Sequence, residues 1–398
     1  MADAVIVDML RVPFSRSRPA QPERDAYNKQ RVDEALAKVI TELIKRNNVD
    51  PLEIGDIITG CSLQMRENFL MGGRTIVMLA ELPFEVPAQS IDRVCIGGMS
   101  ALHQCAMEIM LGYSDLCFAN GMEHMTHVPL DARFNPDLMQ VSPRFWQDEA
   151  LKKYELQTAL SMGLTAEKLW GMTDITRAEM DEWSLFSHQR AAKAVADGYF
   201  KDEILPLDVE QEDGSIMHID TDLSIRGDTT LEGLSGLKPA FKPDGSITAG
   251  NSSPLNAGCS SVLLMSDAKA KAMGLKPLAK VISMGWAGVD PSIMGAGPVP
   301  ASKKALDKIG MDAKDIDYWE INEAFSIVAL YAIKELGLDP EHVNVHGGAV
   351  AIGHPLAASG PRLTGTLARI LQQEGGKYGA ATLCGGGGQG GTVIIEAL

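Results

Sequence analysis

The sequence predicts an α/β fold built from two similar halves with an insertion between them. Short apolar runs typical of buried strands alternate with stretches typical of helices in the first third of the chain. Such alternation implies a largely parallel sheet covered by helices. A similar series returns in the last third, whereas residues 121–245 carry scattered charge and several tryptophans. We interpret that middle segment as an insertion that caps the core.

The first series of elements starts at the N-terminus. The compact apolar run Ala4–Met9 predicts a buried strand, and Arg31–Lys45 has the apolar spacing of an amphipathic helix. The further elements predicted in this part of the chain are strands at Asp56–Cys61, Ala88–Val94 and Asp115–Asn120, and helices at Gly72–Leu82 and from Met99 to Met110.

The second series repeats the first. Its predicted elements are Ala279–Gly285, Asp315–Ile321, Phe325–Glu335 and Tyr378–Cys384. The interval between Asp56 and Asp315 equals that between Cys95 and His354, which supports a duplication. We therefore expect an N-terminal half over 1–120 that is completed by about 246–272, an inserted loop domain over 121–245, and a C-terminal half over 273–398. Packing of the halves about a pseudo-twofold axis would bring Cys95 and His354 together.

Composition limits the classes of function. The chain has 398 residues, 45% of them hydrophobic and 22% charged, and a net charge of −16. This acidity argues against nucleic acid or an anionic membrane surface as the main partner. No secretory leader, no apolar run of about 18 residues and no C-terminal peroxisomal signal is recognised, so a cytoplasmic location is expected. The six cysteines lie far apart, which predicts free thiols without a disulfide or a structural metal.

Cys95 is the first candidate for chemistry. It follows a short apolar strand and precedes a predicted helix, with Gly97 and Gly98 giving the corner backbone freedom. A thiol in the first turn of a helix faces unpaired N–H groups and the positive end of the helix dipole, which favour the thiolate. The alternative is a buried cysteine that packs as a small hydrophobic residue.

A second candidate region lies in the insertion. The segment Ile225–Lys242 holds Arg226, Lys238 and Lys242 without strong periodicity. Two interpretations are open, namely a solvated loop and a positive site for a phosphorylated ligand.

Nine motifs follow one another over nearly the whole chain. They are DRVCIGGMSALHQ at 92–104, GMEHMTHVP at 121–129, SMGLTAEKL at 161–169, TTLEGLSGLKPAF at 229–241, GSITAGNSSPLNAG at 245–258, MGAGPVPA at 294–301, NEAF at 322–325, GGAVAIGHPLAASG at 347–360 and CGGGGQGG at 384–391. Together they resemble the thiolase family, most closely the 3-ketoacyl-CoA thiolases of bacterial fatty-acid oxidation complexes. The resemblance implies a duplicated five-layered α-β-α-β-α core with an inserted loop domain that binds coenzyme A.

The resemblance also implies catalytic roles. Cys95 would form an acyl-enzyme, His354 would take its proton, and Cys384 would protonate the acetyl-CoA carbanion and then deprotonate the incoming CoA. Asn322, through a water, and His354 would form one oxyanion site, while the backbone N–H groups of Cys95 and Gly386 would form the other. Taken singly, His354 and Cys384 could be core residues, and Asn322 could cap a helix.

Coenzyme A is implied as a co-substrate, without a permanently bound cofactor or a metal. The contacts that the resemblance implies are Arg226 on the adenine, Leu237, Phe241 and Met162 along the pantetheine, Ala249 and Ser253 at its amides, and Met294 and Phe325 at the reactive end. Four of these residues could equally be plain core residues: Leu237, Met162, Met294 and Phe325.

The sequence departs from the family pattern around both cysteines. Asp92 stands where thiolases usually carry Asn, Ile96 and Gly97 replace a small residue and Ser, and Gly385 stands where a branched aliphatic residue is common. We hypothesise that bulk has moved from one side of the pocket to the other and has changed the acyl group accepted. Ala257 also replaces a usual Asp.

Three functions are considered. The first is a 3-ketoacyl-CoA thiolase that degrades acyl-CoA and releases acetyl-CoA. The second is an acetoacetyl-CoA thiolase that works in the condensation direction. The third is a non-catalytic acyl-CoA-binding protein of the same fold. The resemblance further implies a homodimer or homotetramer, with a possible complex containing a hydratase and 3-hydroxyacyl-CoA dehydrogenase subunit.

Overall fold

The computed structural model describes residues 2–131, 135 and 141–398. The strands are β1 (Ala4–Arg11), β2 (Ser15–Arg16), β3 (Asp56–Gly60), β4 (Ala88–Ile91), β5 (Leu116–His124), β6 (Leu207–Glu210), β7 (Ile216–Ile219), β8 (Asn256–Ser266), β9 (Ala279–Gly288), β10 (Tyr318–Ile321), β11 (Tyr378–Gly385) and β12 (Gln389–Ala397). The helices are α1 (Val32–Arg46), α2 (Arg74–Leu79), α3 (Gly97–Met110), α4 (Arg144–Gln147), α5 (Leu156–Ala159), α6 (Met162–Trp170), α7 (Arg177–Asp197), α8 (Leu231–Ser235), α9 (Asp267–Ala272), α10 (Pro298–Asp307), α11 (Ser326–Leu336) and α12 (Ser359–Glu374).

The strand order shows the duplication directly. The main sheet runs β10-β11-β12-β9-β1-β8-β5-β3-β4. In the first half, β1 pairs antiparallel with β8, β8 antiparallel with β5, and β5 parallel with β3. In the second half, β9, β12, β11 and β10 repeat the same three pairings in the same order. The halves join where β1 pairs with β9 through Val5 and Ile6.

The prediction of a largely parallel sheet is wrong. Within the described residues, only β3–β4, β3–β5 and β10–β11 pair in parallel, whereas the other pairings of this sheet are antiparallel. The antiparallel pairings come mainly from β8 and β12, two strands that were not predicted from the sequence. A tight turn at Gly386–Gly388 folds β12 back on β11, and β8 returns antiparallel to β5 after the insertion.

The packing of the sheet gives five layers. Residues on alternate positions of β8 belong to different cores: Leu263 and Met265 face α1, whereas Val262 and Leu264 face α3 and α12. The core around α3 and α12 also includes residues of β9, β11 and β12, so these two helices lie between the half-sheets. A third core covers the outer face of the second half with α10 and α11. The predicted α-β-α-β-α core is therefore confirmed.

Element boundaries differ from the sequence-based ones at a few places. The helix predicted over Gly72–Leu82 forms only over α2, because Gly72 and Gly73 adopt left-handed backbone conformations with φ of 64° and 93°. The strand predicted to reach Val94 ends at Ile91.

The segment between the halves contains α4 to α8 and the β6–β7 hairpin. The predicted insertion also includes 132–134 and 136–140, which lie outside the described residues. Helix α7 begins at a capping box in which Thr176 and Glu179 satisfy each other's backbone N–H groups. In the part of the chain that the structure describes, no helix is long and apolar enough to cross a membrane.

Candidate active site

A cavity of about 710 Å³ collects most of the predicted site residues. Those that line it are Cys95, Met162, Phe241, Ser253, Met294, Phe325, His354, Cys384 and Gly386. The lining comes from both halves and from the insertion, as the duplication and the resemblance imply. The cavity is thus the candidate active site.

Cys95 lies at a sharp corner between β4 and α3. It is the central residue of a 3₁₀ turn over Val94–Ile96, so it precedes the α-helix rather than belonging to its first turn. The strained residue of this corner is Val94, with a φ of 50°. A hydrogen bond of 2.7 Å from the Val94 N–H to Asp92 Oδ1 holds the turn.

The expected role of Gly97 and Gly98 needs correction. Gly97 has an ordinary helical φ of −56°, and the φ of Gly98 is not positive either. A side chain on Gly98 would instead collide with the carbonyl oxygen of Ala357, in the loop that follows His354. Gly98 is therefore required for close approach of the two halves, which sets the Cys95 corner against the His354 loop.

The burial of Cys95 acts against the expected lowering of its thiol pKa. Burial raises the pKa of the Cys95 thiol to about 11. A hydrogen bond from the backbone N–H of Gly386 to the sulfur opposes this rise. The thiol consequently keeps its proton until a base removes it.

His354 is the base available in the cavity. Its Nδ1 lies 2.6 Å from Ser359 Oγ, and its backbone N–H donates to Asn256 Oδ1 at 2.8 Å. The preceding Gly353 has a φ of 116° and packs against the Asn256 amide, where a side chain would not fit. Ser359 engages Nδ1 closely, whereas Nε2 has only the long 3.4 Å contact with Asn322 Nδ2 among the described residues, so Nε2 is the nitrogen left to accept a proton.

The electrostatic surroundings keep His354 neutral. Burial lowers the pKa of His354 to about 3, and the positive charge of Arg362 contributes to this. Arg362 is itself buried and donates to Glu320 Oε2 at 2.8 Å. A neutral imidazole beside a protonated thiol is the form that general-base catalysis needs.

Asn322 lies behind the imidazole and outside the cavity lining. It is fully buried, with Nδ2 at 3.4 Å from both ring nitrogens of His354. Its backbone N–H donates to the Thr382 carbonyl at 3.0 Å, which anchors it to β11. Its Oδ1 has no hydrogen-bond partner among the described residues.

Cys384 lies near the end of β11 and faces the same cavity as Cys95. Burial raises the pKa of Cys384 strongly, and the proximity of Cys95 raises it further. Cys384 is thus a neutral thiol, which can donate a proton. All six cysteines are buried and free.

The exchange of bulk between Ile96 and Gly385 is visible in the structure. A Cβ on Gly385 would lie 3.0 Å from Ile96 Cγ1 and 3.2 Å from its Cδ1, so Ile96 fills the space that a side chain at 385 would need. Ile96 is fully buried, and neither residue lines the cavity. The exchange is therefore a compensated change in the core, and it gives no support to an altered acyl group.

The predicted coenzyme A contacts separate into two groups. Phe241 packs over Gly163 and meets Phe325 edge-on, with ring centroids 6.0 Å apart, at the insertion side of the cavity. Arg226, Leu237 and Ala249 are exposed and lie outside the cavity lining.

A basic cluster near Arg226 was not predicted from the sequence. Partial burial lowers the pKa of Arg16, and repulsion from Arg226, Arg18 and Arg24 lowers it further, so each of these three arginines lies within electrostatic range of Arg16. Pro19, which follows Arg18, lines the cavity. The signal was the basic run SRSR at 15–18.

Glu323 is a second missed residue. Its buried carboxylate accepts hydrogen bonds from Trp183 Nε1 at 3.0 Å, Ser187 Oγ at 2.7 Å and the Val350 N–H at 3.0 Å. It thereby ties α7 of the insertion to the loop that carries His354. The run NEAF contained this signal, since an acidic residue next to Asn322 would be buried only with several donors.

Glu67, His124 and His127 bring three possible metal ligands together. One donor atom of each lies within 4.8 Å of the others. In both rings Nε2 hydrogen-bonds a backbone carbonyl, that of Tyr27 for His124 and that of Asn28 for His127. His127 Nδ1 lies 2.7 Å from Glu67 Oε2. The rings are stacked at 3.6 Å with only 12° between their planes, so their in-plane lone pairs run parallel and do not converge on one ion. We interpret the cluster as a hydrogen-bonded structural unit.

Comparison with known proteins agrees with this site. The family model for the thiolase N-terminal domain matches residues 4–268, and that for the thiolase C-terminal domain matches 275–397. The chain belongs to the thiolase family. Enzymes of this family act on coenzyme A substrates.

Individual thiolases resemble the chain over its whole length. Proteins named 3-ketoacyl-CoA thiolase from Marinobacter nauticus, Saccharophagus degradans and Aliivibrio fischeri are 42%, 45% and 42% identical, over 100% of this chain and 98%, 98% and 100% of theirs. The crystal structure of the Bacillus anthracis acetyl-CoA acetyltransferase superimposes with a TM-score of 0.86 and 37% identity, over 100% of this chain and 99% of that one.

Proposed function

We propose that this protein is a 3-ketoacyl-CoA thiolase, which cleaves 3-ketoacyl-CoA with coenzyme A into acetyl-CoA and a shortened acyl-CoA. The observation that carries the proposal is that Cys95, His354, Cys384 and Gly386 line one cavity. The names of the three curated relatives agree with it. The pathway proposed is the β-oxidation of fatty or related acyl groups, in the cytoplasm.

The first half-reaction forms the acyl-enzyme. The Cys95 sulfur attacks the 3-keto carbon while His354 Nε2 takes the thiol proton, because neither the free thiolate nor the imidazolium is stable in the buried resting site. The bond between C2 and C3 then breaks, and its electron pair remains on C2 of acetyl-CoA. The Cys384 thiol protonates C2, and acetyl-CoA leaves.

The second half-reaction returns the enzyme to its starting state. The Cys384 thiolate takes the proton of the incoming CoA thiol, and the CoA sulfur attacks the thioester on Cys95. The bond between the acyl carbon and the Cys95 sulfur breaks, and His354 returns the proton to that sulfur. One group thus serves as acid and then as base, which a thiol that remains protonated at rest can do.

Two groups of donors would stabilise the oxyanions. The Gly386 N–H already points at the Cys95 sulfur, and with the Cys95 N–H it forms the proposed site for the oxygen of the carbonyl that Cys95 attacks, which becomes the oxygen of the acyl-enzyme thioester. Asn322 and His354 form the proposed site for the thioester oxygen of the departing acetyl-CoA, with a water held by Asn322. The free Oδ1 of Asn322 supports this role.

Coenzyme A is proposed as a co-substrate, and no permanently bound cofactor is proposed. Met162, Phe241, Ser253, Met294 and Phe325 would contact the pantetheine inside the cavity. Leu237 and Ala249 would contact it at the surface. Arg226, with Arg16 near it, would bind the nucleotide and its phosphates through positive charge.

The test is CoA-dependent thiolysis of 3-ketoacyl-CoAs from acetoacetyl to long-chain and aromatic, with the wild type, Cys95→Ala and the control Cys105→Ala. Cys105 is also buried but lies outside the cavity lining. The proposal predicts turnover that Cys95→Ala loses and Cys105→Ala retains. Binding of acyl-CoA without turnover by the wild type would support the non-catalytic alternative and overturn the proposal.

The condensation direction is the second candidate. The solved acetyl-CoA acetyltransferase that the chain resembles favours it. The same residues serve both directions, so the range of substrates has to distinguish the two candidates. Turnover confined to acetoacetyl-CoA in the panel above would select the condensing enzyme.

We also propose a homodimer or a higher homo-oligomer that contains it. Strand β4 is an edge of the sheet, and the segment between β3 and β4 carries exposed apolar side chains, including Phe69, Met71 and Phe84 at 63%, 60% and 83% exposure. Pairing of β4 with its copy would cover them. Light scattering of the wild type and of Phe84→Glu tests this, since a charge in the interface should produce monomers. Association with a hydratase and 3-hydroxyacyl-CoA dehydrogenase subunit stays a prediction.

A further inference from the structure

Two separate apolar clusters border the active-site cavity. In one, Met162, Met294 and Phe325 pack with Cys384, on the side where the insertion supplies the proposed pantetheine contacts. In the other, Cys95 packs with Met125 and Leu356, with Val94 and Leu130 beside them. An acyl group attached to the Cys95 sulfur would lie beside this second cluster, in the part of the cavity that we name the acyl end.

Asp92 brings a carboxylate to the acyl end. It lines the cavity three residues before Cys95 and is exposed. It forms no ion pair with any residue that the structure describes, and the cavity lining within those residues includes no Lys or Arg. Its negative charge acts on the Cys95 sulfur, where it adds to the rise in the thiol pKa.

The local structure does not need this charge. Among the described residues, Asp92 accepts a hydrogen bond from the Val94 N–H, at 2.7 Å to Oδ1. An asparagine side chain offers the same oxygen for the same turn. The charge of Asp92 is therefore an addition to the cavity rather than a part of the Cys95 corner.

The buried carboxyl group of Glu123 does not supply the same negative charge. Glu123 is buried and accepts from the Ser62 N–H at 2.9 Å and from Asn68 Nδ2 at 2.5 Å. Burial raises the pKa of Glu123 to about 8, so that group is mostly neutral at pH 7.

We propose that Asp92 makes this enzyme select acyl groups with an uncharged end and discriminate against acyl groups that end in a carboxylate. The inference rests on the proposed function and specifies its substrate class. A carboxylate carried into the acyl end would meet the like charge of Asp92, whereas a methyl, aryl or ester end would meet the apolar cluster around Cys95. Because Asp92 is exposed, the expected discrimination is modest and sensitive to salt.

The test compares two 3-ketoacyl-CoAs of equal length, one ending in a carboxylate and one in its methyl ester. The measured quantity is the ratio of kcat/KM for the ester to kcat/KM for the carboxylate. We expect Asp92→Asn, which keeps the Val94 hydrogen bond, to lower this ratio about threefold to fivefold at low ionic strength. Asp92→Glu should retain the ratio. The control Asp213→Asn, on the exposed turn between β6 and β7, should leave it unchanged.

A measurement on the wild type alone covers the case in which Asp92→Asn does not fold. Raising the salt from about 20 mM to about 1 M shortens the screening length from roughly 20 Å to 3 Å, and should lower the ratio toward the value of the neutral variant. A wild-type preference for the carboxylate substrate, or a ratio that neither salt nor Asp92→Asn changes, would overturn the inference while thiolysis persists. Failure to cleave either substrate would overturn the proposed function, and the inference with it.

Discussion

Ile96 fills the space beside Gly385, with its Cγ1 3.0 Å from the position of a Cβ at 385. Ile96 directly follows Cys95, and Gly385 directly follows Cys384. Their contact therefore links the two segments that carry the thiols. Both belong to the packed interior and lie outside the cavity lining.

We predict that Ile96 and Gly385 are energetically coupled. Gly385→Val should lower the free energy of unfolding by about 1–3 kcal/mol through overpacking, and Ile96→Ala by about 2–5 kcal/mol through a cavity. The double variant should lose at least about 1 kcal/mol less than the sum, because the valine occupies the vacated space. Urea unfolding of the four proteins measures the coupling. Additive losses would contradict the contact, and an altered acyl preference in Gly385→Val would revive the hypothesis of a changed pocket.

Alkylation of Cys95 should depend steeply on pH. Burial raises the pKa of its thiol to about 11, so the thiolate fraction should increase about tenfold per pH unit between pH 7 and pH 9.5. The rate constant with iodoacetamide, read from the mass of the peptide that contains Cys95, measures this in the free enzyme. A rate that levels off near pH 7 would show a thiolate–imidazolium pair at rest and would contradict the neutral pair described here.

Ser359 should matter for the rate of the reaction rather than for binding. Its Oγ lies 2.6 Å from His354 Nδ1 and fixes which ring nitrogen faces the substrate. Ser359→Ala should lower kcat by about tenfold with little change in KM, since loss of a group that orients a catalytic histidine disturbs the transition state more than the bound substrate. Ser359→Thr, which keeps the hydroxyl, should restore much of the rate. An equal loss in both variants would point to packing instead.

The pair of Glu67 and His127 should stabilise the fold in a limited pH range. Burial opposes the charge on His127, but the hydrogen bond and the charge of Glu67 raise its pKa above the ordinary value of 6.5. The pKa of Glu67 is lowered below 4.5, despite burial, by the hydrogen bond and charges of His127 and His124. The stabilisation is therefore present between these limits, and it is lost as pH rises through the folded-state pKa of His127 or falls through that of Glu67.

Glu67→Gln tests this pair. At pH 6 the free energy of unfolding of the variant should be about 1.5–3 kcal/mol lower than that of the wild type, the value of a hydrogen bond to a charged group. The difference should become smaller by pH 9, where His127 has lost its proton. A constant difference from pH 6 to pH 9 would show that the pair acts as a neutral hydrogen bond.

Much of the fold was predictable because strands and helices in this chain have strong periodic patterns. The apolar runs of β1, β3 and β11 and the amphipathic spacing of α1 appear at the predicted places. Strands β8 and β12 were missed, and with them the antiparallel pairings. Their burial on both faces removes the alternation that marks a strand, and β12 follows a run of glycines.

The candidate site was predicted as residue types but not as electrostatics. The motifs led to Cys95, His354 and Cys384, which the structure places in one cavity. The raised pKa of Cys95 depends on burial by segments distant in sequence, which a reading of one helix end does not reveal. The Glu323 hydrogen bonds and the cluster of Arg16 with Arg226 likewise depend on tertiary contacts across the insertion.

The most direct test of the account is the intact mass of the enzyme after mixing with a 3-ketoacyl-CoA in the absence of free CoA. The account predicts an added mass equal to the shortened acyl group, located on the peptide that contains Cys95, released by CoA, and absent in Cys95→Ala. An acyl group on another residue would contradict Cys95 as the nucleophile. So would acetyl-CoA formation without any adduct in the wild type, or acetyl-CoA formation that persists in Cys95→Ala.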